Sequence, residues 1–238
     1  MISRLELGNV TVDVVLKDIK NVHLSVHPPT GRVHISAPRR TDLDTIRMFA
    51  ISKLDWIRRQ RTKLIEQERE TPREYVDMES HYVWGKRYLL VIQENHGPLS
   101  IQLKHRHMLM CVRRHTGRLR RDALMEQWYR EQLKAAVPPL LTRWQPLIGV
   151  EVKRFFVQRM KTMWGSCNHN ARTIRLNTDL AKKPAECLEY IVVHELAHLV
   201  EPTHNVRFIA LMDGLMPRWR SHREVLNRLP IRQVSWSY

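Results

Sequence analysis

The stretch Val193-His194-Glu195-Leu196-Ala197-His198-Leu199, with His204 six residues after its second His, constrains this chain more than any other feature. On a helix, positions i and i+4 lie on one face, so His194 and His198 can aim at a single metal ion. Glu195 sits one step round, where it can reach a metal-bound water without being a ligand. Leu188, Ile191, Val192 and Leu199 supply the apolar stripe that buries such a helix, and Pro184 followed by Ala185, Glu186 and Glu189 suits its start. His204 cannot share that face, because six residues at roughly 100° each would carry it away on a continued helix. Glu201-Pro202 supplies the break, since proline disfavours helical backbone in the residue before it. The pattern therefore predicts a ligand helix, a turn, and a third ligand at the start of a second helix, Asn205 to Leu215. Three protein nitrogens with an open position match a catalytic zinc site rather than a closed structural one. The bland alternative is a helix carrying two packed or solvated histidines.

Composition sets the frame. A chain of 238 residues, 43% hydrophobic and 27% charged, can bury one large core or two small ones. Its net charge of +16 favours anionic partners: nucleic acid, nucleotides, acidic substrates or a membrane surface. A solvated basic surface explains the charge equally well. Three cysteines without a C-x-x-C pair argue against a disulfide framework and a zinc ribbon, and fit a reducing, cytoplasmic compartment. No apolar run is long enough to span a bilayer, and the N-terminus lacks the basic-then-apolar pattern of a signal peptide.

Taken in order, the chain reads as α+β, with a β-rich and helical part over 1–150 and a zinc-binding catalytic part over 151–238. Residues 10–16, 21–27 and 32–37 are β-prone, with a turn at His27-Pro28-Pro29-Thr30-Gly31. His23, His27 and His34 fall on the polar positions of these strands, which accounts for them better than a metal cluster does. One long helix is expected from the cap at Thr41 or Asp42 to about Glu70. Its basic face carries Arg47, Lys53, Arg58, Arg59, Arg61 and Lys63 and could follow a phosphate backbone, although a solvated face is the simpler account. Strands are expected at 81–84, 88–93, 99–103 and 108–112. A helix from Arg120 to about Ala136, with Leu124, Trp128, Leu133 and Val137 inward, is broken or kinked by Pro138-Pro139 before a second piece to Leu147. Arg113, Arg114, Arg118, Arg120 and Arg121 form another possible phosphate contact. Strands at 153–158 and 172–176 flank an Asn168-His169-Asn170 turn. Residues 172–177 are the candidate strand for a substrate peptide to pair with. Cys167 is either packed or reactive; His222 reads as structural. Phe208, Leu211, Leu215, Trp219 and Leu226 suit a helical cap beneath the metal site. No internal repeat is evident.

These residues resemble the YgjP-like metallopeptidases, relatives of the SprT-like and gluzincin-type zinc proteases, over about residues 21–229. The resemblance rests on Pro38, Leu54-Asp55-Trp56-Ile57, Trp128-Tyr129, Arg159-Met160-Lys161-Thr162-Met163-Trp164-Gly165-Ser166-Cys167, Ile174-Arg175-Leu176-Asn177, and the histidine segment with His204 and Phe208. It implies an α+β fold, zinc at His194, His198 and His204, and Glu195 as catalytic base. Met163 stands where the family usually has a basic residue, and Ile209 where Trp is usual. Metzincin spacing is similar, but Glu201 replaces their Gly.

The expected function is zinc-dependent peptide hydrolysis, with protein or peptide as substrate and Zn²⁺ as cofactor. Two rivals keep other classes open: a metal-dependent phosphohydrolase acting on nucleotides, and a nucleic-acid-binding module or nucleic-acid-associated protease. Arg159, Asn177 and Arg207 are the sequence's candidates for an oxyanion donor.

Overall fold

Val10, Val12 and Val14 alternate with polar residues and are almost fully buried, the pattern of a strand with one face on a core. They belong to the first of two units, Met1–Thr71 with Pro230–Tyr238, in a computed structural model that describes residues 2–27, 30–66 and 69–232. Its sheet comprises β1 (Ile2–Leu7), β2 (Val10–Lys17), β3 (His23–His27) and β4 (Arg32–Pro38), in the order β1-β2-β4-β3. The central pair β2–β4 is parallel and the outer pairs are antiparallel. The strand at 2–7 was not expected from the sequence; the Pro28-Pro29 turn lies outside the described residues. Leu5, Leu7, Val33, Ile35 and Ala37 face the same core, which Ile46 and Ala50 of α1 (Leu43–Ser52) and Ile57 of α2 (Leu54–Glu66) complete.

The single long helix expected here is two helices, and the far end of its expected span, residues 67–68, lies outside the described residues. Asp42 caps α1 as expected, accepting from the Thr45 N–H at 2.7 Å. At its end the Ser52 hydroxyl donates to the Phe49 carbonyl, the acceptor that the Lys53 N–H would use in a continued helix. The Lys53 N–H turns to Ala50 instead, and a new helix begins. Arg61, from the basic face, reaches the Asn9 carbonyl. His27 and His34 meet edge-on at 6.0 Å, and His27 Nε2 lies 3.0 Å from the Ser25 hydroxyl. A short strand, β5 (Arg69–Glu70), closes this stretch.

The second unit, Pro72–Leu229, opens with a sheet of β6 (Ser80–Val83), β7 (Lys86–Glu94), β8 (Ser100–Lys104) and β9 (His107–Val112). Its order, β6-β7-β9-β8, again has a parallel central pair and antiparallel flanks. The two sheets thus repeat one topology. The sequence shows no repeat because the pairing pattern constrains which residues alternate, not which residues they are.

α3 (Arg118–Ile148) runs unbroken through Pro138, Pro139 and Pro146, so the helix does not break at 138–139. Pro138 and Pro139 are exposed, as are Lys134 and Ala135, whose carbonyls lose their helical donors. Those carbonyls can meet water, while the buried stripe Met125, Tyr129, Leu133, Val137, Leu141 and Trp144 holds the helix on the core. Leu124 and Trp128, expected inward, are half-buried beside that stripe.

β10 (Arg154–Gln158), β11 (Gly165–Asn168) and β12 (Thr173–Asn177) form a third sheet, ordered β10-β12-β11. A 3-10 turn (Thr178–Lys182) leads to α4 (Ala185–Ala197), α5 (Val206–Leu215) and α6 (Trp219–Arg228). α3, β12 and α4 share one apolar core. Residue 150 lies inside this unit, and the two compact units meet in sequence at Thr71–Pro72. A final strand, β13 (Ile231–Arg232), pairs in parallel with β5. The whole is α+β, and among the described residues no helix is long and apolar enough to cross a membrane.

Candidate metal centre

α4 is buried along most of its length, and Pro184 caps it where the sequence placed its start. His194 lies in its last turn. His198 falls one residue past it, with right-handed helical backbone and its N–H on the His194 carbonyl, so the two rings keep the one-face relation. The N–H groups of Leu199, Val200 and Glu201 fold back on Leu196 and Ala197, ending the helix before Pro202. Glu201 accepts from the Thr203 hydroxyl at 3.1 Å, and Asn205 caps α5 through the N–H groups of Arg207 and Phe208. His204 is held between that turn and that cap, as the spacing predicted.

The three imidazoles converge. His204 Nε2 lies 3.0 Å from His194 Nε2 and 3.2 Å from His198 Nε2. Tetrahedral zinc with bonds of about 2.0–2.1 Å needs nitrogens about 3.3–3.4 Å apart, so this donor set fits such an ion closely. Among the described residues it is the one group of His, Cys, Asp and Glu that could hold a metal. His198 Nδ1 sits 3.1 Å from the Glu201 carbonyl, which fixes the proton on Nδ1 and bares Nε2. Burial and the neighbouring imidazoles push His194 down to about 3, and burial pushes His198 down too, so both rings favour the neutral form a metal requires. Phe208, 1% exposed, lies beneath all three rings at centroid distances of 5.0, 4.6 and 4.8 Å.

Glu195 is 4% exposed, and burial pushes its carboxyl up to about 8. It lies against β11. A Cβ placed on Gly165 would sit 2.5 Å from Glu195 Oε1, so the missing side chain makes room for that carboxyl group. The sequence offered Gly165 only as part of a motif. Its role was legible to the extent that a glycine in a strand marks a close approach. Trp164, Gly165, Ser166 and Cys167 line a cleft of about 450 Å³ with the three histidines and Glu195. Burial and the Glu195 carboxyl push the Cys167 thiol up to about 11, which disfavours its thiolate form.

Several expectations are corrected. Residues 173–177 form the middle strand, paired on both edges, so no substrate strand can add there. The strand with one partner beside the histidines is β11, which the Gly and short polar side chains of Gly165-Ser166 hid. Asn177 is not an oxyanion donor: its amide holds the 160–163 loop, donating to the Met160 and Met163 carbonyls at 3.0 and 2.9 Å. Arg159 and Arg207 do not line the cleft, whereas Arg223 does. His222 is outside the cluster; its carbonyl lies 4.0 Å from Cys187 Sγ. Of the departures, Met163 lines the cleft and Ile209 does not. Arg118 and Arg121 donate to the Arg73 and Tyr75 carbonyls.

A family model described as "YgjP-like, metallopeptidase domain" matches residues 20–229. No curated protein matches the chain. Among solved structures, the crystal structure of the metallopeptidase zymogen of Pyrococcus abyssi abylysin aligns at 23% identity and a TM-score of 0.37. The alignment covers 41% of this chain and 99% of that one, a likeness too loose to carry an argument.

Proposed function

The chain belongs to the YgjP-like metallopeptidase family, and from that premise we propose that it is a zinc-dependent endopeptidase with His194, His198 and His204 as ligands and Glu195 as general base. The family implies a divalent metal and protein or peptide substrates. The observation that carries the finer reading is the convergence of three Nε2 atoms over Phe208 with a buried carboxyl beside them.

His194, His198 and His204 would hold a zinc ion there, which would supply Lewis-acid activation of the attacking water. Glu195 takes the proton of the attacking water on a carboxylate oxygen as the peptide carbonyl carbon is attacked, then returns it to the departing amine nitrogen. Burial raises its affinity for a proton, which suits a group that has to accept one. His198 is held by the Glu201 carbonyl, and Phe208 keeps the rings from turning. The substrate backbone lies along the outer edge of β11, which among the described residues pairs only with β12.

The test is metal content and hydrolysis measured together in wild type and Glu195→Gln, on a protein substrate and a nucleoside triphosphate panel. Zinc at one per chain in both is expected, with protein cleavage falling by about 10²–10⁴-fold in the variant. Cleavage of the triphosphates alone would leave the metal centre standing and replace the peptidase by a phosphohydrolase. Absence of bound metal would sink the reading.

A further inference from the structure

Arg223 is exposed, lines the cleft, and has no ion-pair or hydrogen-bond partner among the described residues. α6 presents Trp219, Arg223, Leu226 and Asn227 at i, i+4, i+7 and i+8, one helical face. Trp219 and Leu226 on that face are buried; Trp219 stacks on Tyr190 at 6.3 Å, one turn before His194 on α4. Arg223 and Asn227 line the cleft beside the histidines. Arg223 is close enough for its charge to act on both His194 and Tyr190.

Arg220 on the same helix pairs with Asp213 and stacks on Trp219 at 4.6 Å. Arg143 pairs with Glu189 at 2.9 Å, and Arg118 with Glu74 at 3.3 Å. Arg223 forms no ion pair or hydrogen bond among the described residues. Among the described residues the only acidic side chain lining the cleft is Glu195, which faces Gly165. A guanidinium in a concave site, with no carboxylate of the protein's own to meet it, is arranged to receive one from outside.

We propose that Arg223, with Asn227 one turn on, is a specificity residue that binds a carboxylate of the peptide, from an acidic side chain near the scissile bond or from a free C-terminus. The proposal rests on the peptidase reading and adds its substrate class. A guanidinium matches a carboxylate with two parallel N–H···O bonds, and the Asn227 amide can donate a third. Basic side chains at the same subsite meet Arg223 as a like charge. The chain's net charge of +16 draws acidic peptides toward the cleft in the first place.

The test is binding, with turnover removed. Full-length, zinc-loaded Glu195→Gln protein is titrated with fluorescent decapeptides of neutral composition. One series scans a single Glu, with Gln controls; a second compares free and amidated C-termini. The expected result is binding about 10- to 100-fold tighter for the carboxylate peptide in one series, the series identifying its source. Adding Arg223→Gln removes that difference with zinc content unchanged, and Arg223→Lys keeps part of it. Equal affinity for carboxylate and amide peptides, or a preference that survives Arg223→Gln, overturns the proposal. So does an equal loss for both peptides, which would make Arg223 a general anchor. Cleavage of the same peptides by wild type is read separately: preserved discrimination without cleavage keeps the carboxylate site and removes the peptidase reading.

Discussion

Gly165 and Glu195 show how much of this site is decided one atom at a time. The helical pattern places Glu195 next to His194, but it does not say what lies over its carboxyl group. In the fold that neighbour is the bare Cα of Gly165, and any Cβ would meet Oε1 at 2.5 Å and the Glu195 Cγ and Cδ at 2.9 Å. Glu195 is buried, so it has little room to swing aside. Gly165→Ala is therefore expected to keep zinc at one per chain and to lower kcat by about 10²-fold, the cost of misplacing a reacting group by roughly 1 Å. Combined with Glu195→Gln it should cost little more than Glu195→Gln alone, because both act on one carboxyl group. A Gly165→Ala enzyme as fast as wild type would remove the positioning role.

At the scale of elements, strands and helices differ in how well they announce themselves. α4 was legible with its start and its bound face because burial, proline and ligand spacing all agreed. α3 was not, since a proline pair reads as a break unless a long apolar stripe on the opposite side outweighs it. The β6–β7 hairpin carries a further consequence. His81 on β6 is 4% exposed, and burial with the charges of Arg73 and Lys182 pushes it down to about 3. The Glu79 carboxylate lies 3.3 Å away and would favour the charged ring. It is engaged, however, by Arg73 and by the N–H groups of Glu74 and Tyr75, so burial prevails. Unfolded His81 takes a proton below about 6.5 while the folded one resists until about 3, so stability is lost as pH falls across that window. Between pH 7.5 and 4.5 the loss from this group is about 2.7 kcal/mol. Urea unfolding of wild type and His81→Phe at both pH values checks it: the variant's loss should be smaller by that amount, and equal losses would show that His81 is not the group responsible.

At the scale of the whole molecule, the chain builds two cores. The residues packed around α3 and α4 all come from 72–229, and those packed around α1 all come from 5–57. The histidines, Glu195, β11 and α6 belong to the larger unit. A chain restricted to residues 72–229 is therefore expected to fold with one cooperative transition and to bind zinc at the full-length ratio. Calorimetry and metal analysis of that fragment decide the matter, and a fragment that neither folds nor holds metal would show that the smaller unit is part of the centre's support.

The sequence by itself determined which three histidines come together, the helix that carries two of them, the turn that returns the third, and the α+β class. Each of these is local, fixed by spacing along a helix or by alternation along a strand. Only the tertiary structure decided that β11 rather than β12 has the open edge, that Gly165 covers Glu195, that Asn177 serves a loop, and that Arg223 enters the cleft. Strand order and the approach of α6 to α4 join residues far apart in the chain, and no local periodicity records which distant neighbours a side chain will meet.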